Sequence, residues 1–324
     1  MGVVRSIVSA VAVLAAVAGA PAGAQDYPDR PVRIIVPFPA GGGTDALSRI
    51  LAERLENQLQ QKFFVENVSG AGGNIGANRI AQSEPDGYSL LIGPMGVVSV
   101  NPLIYRNTGT SIVDRLVPVS IVFETGHIII VNPAVDARTL ADLTSLSKRP
   151  GRALNFASGG IGTSTHLYAE LFKVLTGASM THVPYRGNGP ALLDVVAGHA
   201  QVMFDQIASA SEQVRAGKVR ALAVTTPARL DILPDLPTVA EVGMPQLAGT
   251  SWTMLMAPQG TPDAVIQKLN QAITAVVAEQ ATRRKMEAIG ASARASSAAE
   301  AAALLRSELE RWRPVVAATG IQAN

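Results

Sequence analysis

Two glycine-rich segments, each set between a strand-like run and a helical pattern, hold most of the chemistry this sequence offers. Gly41-Gly42-Gly43-Thr44-Asp45 follows Phe38 and Ala40 and, with Ala46, satisfies the G-x-G-x-x-A spacing. Glycines let a backbone approach a ligand closely, and the free N–H groups of a helix N-terminus carry about half a positive charge towards it. Any small anion suits such a loop. A dinucleotide is a second reading, with Glu66 placed to meet a ribose, although Pro37 and Pro39 interrupt the approach to the glycines. A structural tight turn is the third. The second segment, Ser158-Gly159-Gly160-Ile161-Gly162-Thr163-Ser164-Thr165-His166, packs hydroxyl residues at a helix start, where they either cap the helix or donate to a ligand oxygen.

Other positions extend the set. Ser69 to Gly76, with Gly72 at its middle, exposes further backbone amides before a short helix. Tyr185-Arg186-Gly187-Asn188-Gly189-Pro190 adds a turn in which Arg186 either pairs with a carboxylate or is simply solvated. Asp205 follows a strand and precedes a helix-like stretch, so it caps that helix or meets a ligand ammonium or hydroxyl. His166 either lines a cleft or sits in the core. Catalytic patterns do not occur: there is no G-x-S-x-G elbow, P-loop lysine, cysteine or H-E-x-x-H helix, and the four histidines lack metal-ligand spacing. A binding protein without cofactor or metal is therefore expected. An exported hydrolase or oxidoreductase, or a ligand-sensing subunit for a membrane receptor, stands as the alternative.

Elements that position these loops are legible as periodicity. Val32–Val36 reads as a strand, and Leu47, Ile50, Leu51, Leu55 and Leu59 mark one buried helix face. Runs at 63–65 and 88–92 continue a first sheet. From His127 the alternation restarts, with strands at 127–131, 154–157, 181–185, 201–204 and 219–225 and helices between them. Pro190 and Gly198 bracket one of those helices as its start and stop. A strand at 252–257 precedes a helix beginning at Pro262, and Ser297 with Glu300 forms a capping box for the last helix. Such βα alternation predicts an α/β protein with parallel sheets covered by helices.

Residues 1–24 combine Arg5 with an apolar run from Ile7 to Val17, too short to span a bilayer, and end in Ala22-Gly23-Ala24. This predicts a signal peptide, a mature start at Gln25 and a periplasmic location. Beyond it, 26 basic and 25 acidic residues leave no charge excess to attract nucleic acid. Without cysteine, neither disulfides nor a lipid anchor through that residue are available. The 300 remaining residues suffice for about two domains.

Several motifs in one order resemble the Bug/TctC family, the substrate-binding components of tripartite tricarboxylate transporters. They are Tyr27-Pro28, Pro31-Val32-Arg33-Ile34-Ile35-Val36-Pro37-Phe38, Glu84-Pro85-Asp86-Gly87-Tyr88, Asn101-Pro102-Leu103, His182-Val183-Pro184-Tyr185-Arg186-Gly187, Met203-Phe204-Asp205, and Ala257-Pro258 through Pro262. The resemblance implies a two-lobed Venus-flytrap fold of the type II periplasmic-binding-protein kind, each lobe a mainly parallel sheet. Residues 25–124 plus 250–324 would form one lobe and 125–249 the other. It further implies a small carboxylate held by backbone amides and transporter membrane subunits as partners; a monomer is expected. The chain departs from the family pattern at 107–116, at Met254, and at Pro94-Met95-Gly96. If Met95 and Met254 face the cleft, they make it smaller and more apolar, which favours an acid with an apolar or aromatic body over citrate.

Overall fold

The computed structural model describes residues 27–105, 112–151 and 154–323. The expected leader and its cleavage site lie outside these, as does the first half of the 107–116 segment. Among the described residues ten strands are formed: β1 (Val32–Val36), β2 (Phe63–Asn67), β3 (Ser89–Pro94), β4 (Leu116–Val131), β5 (Leu154–Ser158), β6 (Met180–Pro184), β7 (Val202–Gln206), β8 (Arg220–Val224), β9 (Thr250–Pro258) and β10 (Ala291–Ala293). The helices are α1 (Gly43–Leu59), α2 (Asn74–Ala81), α3 (Asn101–Ile104), α4 (Leu140–Ser147), α5 (Ser164–Thr176), α6 (Asn188–Ala197), α7 (Ile207–Arg215), α8 (Asp263–Ala278), α9 (Gln280–Glu287) and α10 (Ala298–Thr319).

The strands follow the order β2-β1-β3-β9-β4-β7-β5-β6, with β8 and β10 also on β4. β4 is the shared element. From Leu116 to Gly126 it pairs with β9, and from His127 to Val131 with β7 and β8. The chain therefore divides into two halves joined by β4 and by the return through Gly249 into β9. The outer strands of each half are parallel, β1 with β2 and β3, and β5 with β6 and β7. The strands about the crossing are antiparallel. Each sheet is thus mixed where mainly parallel sheets were expected. β4 leaves the first half as β9 returns to it, so the two run in opposite directions and impose that sense on their neighbours.

This topology places the cleft. β1 and β3 run in the same direction as β4, so their carboxyl ends point towards the second half. β5, β6 and β7 run against β4, so theirs point back towards the first. Pro94 at the end of β3 lies level with Thr253 and Phe123, and Gln206 at the end of β7 lies level with His127. Four residues of β4 separate those levels, about 13 Å at ~3.3 Å per residue. Ligands of open α/β sheets bind in the crevice outside the carboxyl ends of strands, and here two such ends face each other.

Both faces of each sheet are covered. In the first half α1 and α8 bury Leu47, Leu51, Leu55, Leu269 and Ile273 on one face, while α10 brings Leu305 and Trp312 to the other. In the second half α4 and α5 cover one face and α6 and α7 the other. Thr139 opens α4 and Ser297 opens α10, each with a capping box. Gly198 closes α6 in the left-handed conformation, as its position beyond Pro190 predicts.

Candidate ligand-binding site

Four helices aim their N-termini at one cavity between the halves. The loop after β1 brings Phe38, Pro39, Gly42, Gly43, Thr44 and Asp45 to its wall, and the end of β3 brings Pro94, Gly96 and Val97. Opposite them stand Thr163 and Ser164 at the start of α5, Gly187, Asn188 and Gly189 at the start of α6, and Gln206 before α7. None of α1, α5, α6 or α7 has a side-chain hydrogen bond at its N-cap. A helix leaves its first four N–H groups without intrahelical partners, and its dipole puts partial positive charge at that end. Among the described residues neither lysine nor arginine lines the cavity. The site is electropositive through its backbone.

Asp45 is the acidic lining residue, and it is engaged within the first loop. Its carboxylate accepts from Gly41 N–H (3.1 Å), from Asn67 Nδ2 (2.9 Å) and from Arg49 Nε (3.1 Å). Burial pushes its pKa up, but those hydrogen bonds and the Arg49 charge outweigh burial and hold it below the ordinary value. Asp45 thus pins the loop to α1. Gly41 and Ala40 are exposed and shape the turn without lining the cavity, contrary to expectation.

The second loop is braced from behind. Gly159 N–H donates to Thr165 Oγ1 (3.0 Å), Gly160 N–H to Ser158 Oγ (3.1 Å), and Gly162 N–H to His166 Nδ1 (3.2 Å). His166 stacks on His182 with ring centroids 3.8 Å apart, and His182 Nε2 lies 2.6 Å from Ser158 Oγ. Burial, aided by His166, pushes His182 down to about 3. Ser158, Gly162, Thr165 and His166 therefore hold the loop's shape and do not line the cavity, because their polar atoms are spent on its backbone. Thr163, expected on the same grounds, does line it.

The two halves meet here. Thr44 Oγ1 lies 3.4 Å from Gln206 Oε1 across the cleft. A β-carbon on Gly43 would come within 2.9 Å of Ala208, and one on Gly96 would collide with Gly162 O and stand 3.1 Å from Thr163 Cα. The cavity measures about 30 Å³. A water needs about 10–15 Å³ on this measure, so the loops enclose room for little more than one carboxylate group. Beyond Phe38 a second cavity of about 220 Å³ is walled by Gly72, Tyr105, Gly159, Tyr185 and Arg186. Of these, Gly72, Gly159, Tyr185 and Arg186 were expected, and the structure brings them together on this second cavity and not on the wall of the first. Gly72 is glycine because its φ is +61° and a β-carbon would lie 2.7 Å from Ile161 O.

Two expectations are corrected. Met95 is 1% exposed and Met254 fully buried, both inside the apolar cluster under α10, so neither side chain narrows the cleft. Met95 already has helical backbone angles, which carry its side chain inward while Pro94 and Gly96 stay on the wall. The argument from these methionines for an apolar or aromatic acid therefore falls. Asp205 is fully buried; it accepts from Gln206 N–H (2.8 Å) and Ser209 Oγ (2.6 Å) and does not reach the cavity. Gln206 lines the cavity without having been singled out, and Pro39, Ser164, Gly187, Asn188 and Gly189 line it from segments named for their loops but not as ligand contacts. Strand alternation signals Gln206, the helix starts at Gly187 and Thr163 signal Gly187, Asn188, Gly189 and Ser164, and Pro39 belongs to the loop between β1 and α1.

A cavity walled from two halves by strand ends and helix N-termini defines a two-lobed α/β solute-binding protein, and solved structures share that architecture. The alkanesulfonate-binding protein SsuA from Xanthomonas axonopodis pv. citri, 13% identical, matches with a TM-score of 0.56, a likeness of fold alone. Over residues 47–321 the chain matches the TctC family, described as the tripartite tricarboxylate transporter family receptor, and it belongs to that family. Protein BugT of Bordetella pertussis is 35% identical over 318 residues, covering 97% of each chain. The structure of R. palustris Rpa4515 with adipate has a TM-score of 0.88 and 35% identity, covering 92% of this chain and 99% of that one. MatC (Rpa3494) from Rhodopseudomonas palustris with bound malate has a TM-score of 0.84 and 31% identity, covering 90% and 100%.

Proposed function

We propose that this chain captures a small organic carboxylate between its lobes in the periplasm and delivers it to membrane subunits of a tripartite tricarboxylate-type transporter. Residues 25–124 with 250–324 form one lobe in this reading and 125–249 the other, and residues 1–24 are removed on export. The observation that carries it is the convergence of four uncapped helix N-termini on one cavity whose wall, among the described residues, holds no cationic side chain. Backbone donors aimed at one point suit a compact anion with several acceptor lone pairs, and a carboxylate is such a group. Capture at micromolar level needs about −8.2 kcal/mol, within reach of several charge-assisted hydrogen bonds worth ~1.5–3 kcal/mol each, less the cost of ordering. The adipate and malate held by Rpa4515 and MatC support the class of ligand. Among the described residues no helix is long and apolar enough to cross a membrane, so transport through the bilayer falls to partner subunits.

A thermal-shift panel of adipate, malate, citrate and benzoate tests the reading, since an acid at ~100 times its Kd adds ~2.7 kcal/mol of stability. Gly42 supplies the control. Its φ is −85°, open to any residue, a β-carbon there would meet nothing within 4 Å, and the residue itself lines the cavity. Gly42→Val should fold, at a cost of ~1 kcal/mol in N-cap preference, and lose about 100-fold or more in affinity. Full affinity in that variant, or no response of the unmodified chain to any of the four acids, would sink the proposal.

A further inference from the structure

His127 is the first residue of β4 to pair with the second half, directly across from Gln206. Its ring is fully buried and stacked on Tyr168, with centroids 4.1 Å apart. One ring nitrogen, Nε2, lies 3.0 Å from Ser164 Oγ at the cavity wall. The other, Nδ1, is sealed from solvent and has no hydrogen-bond partner among the described residues. The ring's position explains neither the choice of histidine nor the direction of its one bond.

We propose that His127 is a positioning residue for anion capture: its Nε2–H donates to Ser164 Oγ, leaving the serine hydroxyl hydrogen free to donate to the bound carboxylate. This deepens the carboxylate reading and rests on it. Burial pushes the ring down to about 3, so it remains neutral and carries a single proton. Were that proton on Nδ1, a buried N–H would have no partner among the described residues, and such orphaned donors are rarer than under-used acceptors. The same tautomer would make Nε2 the acceptor, consume the Ser164 hydrogen, and turn an oxygen lone pair towards an anion. Both considerations place the proton on Nε2. The hydroxyl then joins the Ser164 N–H, so one residue at the start of α5 offers two donors to one ligand.

Two measurements test this in the full chain. In [15N]His-labelled wild-type protein, two-bond 1H–15N correlations, with His127 assigned from the spectrum of His127→Gln, should show protonated Nε2 and bare Nδ1. Calorimetric titrations with adipate, malate, citrate and benzoate should show Ser164→Ala and His127→Leu each weakening binding about tenfold. The double variant should be no weaker than either. His127→Gln, whose amide nitrogen can donate to Ser164, should stay within about threefold of wild type. A ring protonated at Nδ1, or a double variant weakened about a hundredfold, overturns the assignment while the carboxylate reading stands. Silence of the wild type towards all four acids overturns both. Should His127→Leu fail to fold, the tautomer in the unmodified chain decides.

Discussion

Successive residues of a strand face opposite sides of its sheet, and at the end of β7 this rule separates Gln206, on the cavity wall, from Asp205, sealed beneath it. Burial raises the Asp205 carboxyl to about 7, only partly opposed by the hydrogen bonds from Ser209 and Gln206. The folded chain thus keeps a proton that the unfolded chain, with an ordinary value of 3.8, releases near pH 4. Between those values folding takes up a proton, so this group's contribution to stability is fully present below pH 4, declines as pH rises towards about 7, and is flat above it. Asp205→Asn reproduces the neutral form: its amide oxygen can accept from Gln206 N–H, and its amide nitrogen can donate to Ser209. Melting temperatures of the two proteins from pH 4 to pH 8 should diverge as pH rises, with the variant the more stable at pH 8. Parallel curves would mean that Asp205 is ionised throughout. An acidic residue after a strand invites a binding role in sequence, but here the period of two favours its neighbour.

At the scale of elements, the readable part of the sequence is the part where one period rules. The α1 stripe through Leu47, Leu51 and Leu55, the capping box at Ser297 and the stop at Gly198 are local signals, and the structure keeps them. β4 is different. Only 127–131 is legible, because the preceding stretch contains Pro118, Ser120 and Glu124 and shifts register between Pro118 and Ser120 and again between Ile121 and Phe123. Bulges erase the alternation by which a strand is recognised. The site is legible as loops and not as a constellation, since sequence marks where amides are exposed but not which loops meet. Gly96 shows what that meeting requires. A β-carbon there collides with Gly162 O from the opposite half, so Gly96→Ala should leave each half folded but hinder this close approach. Overpacking costs ~1–3 kcal/mol, and calorimetry should record a loss of about tenfold or more in carboxylate affinity with the ligand-free melting temperature little changed. Undiminished affinity would show that the bound state does not bring these loops together.

For the whole molecule, capture requires that contacts across the cleft be made when the acid is present and relinquished when it leaves, and an acid favours closure only by its differential affinity for the closed form. The halves are joined by two short crossings, Gly126-His127 in β4 and Gly249-Thr250 at β9, so rotation about them moves one set of loops against the other as a unit. A third contact reports that rotation. Trp312 of α10 is buried against the first sheet, donates from Nε1 to Glu308 (3.0 Å), and meets the edge of Tyr168 on α5 with ring centroids 6.4 Å apart. Opening the cleft separates these rings and admits water to one side of the indole. Trp252 is the chain's other tryptophan, on β9 within the first half, where it pairs with Glu124 of β4. In Trp252→Phe, a carboxylate that raises the melting temperature should therefore shift the Trp312 emission to shorter wavelength. In Trp312→Phe the same acid should leave the Trp252 emission almost unchanged. Equal responses from both tryptophans would place the conformational change within the first half, whereas silence from both would mean that the closed arrangement already prevails without ligand and that the acid enters by local movement of loops.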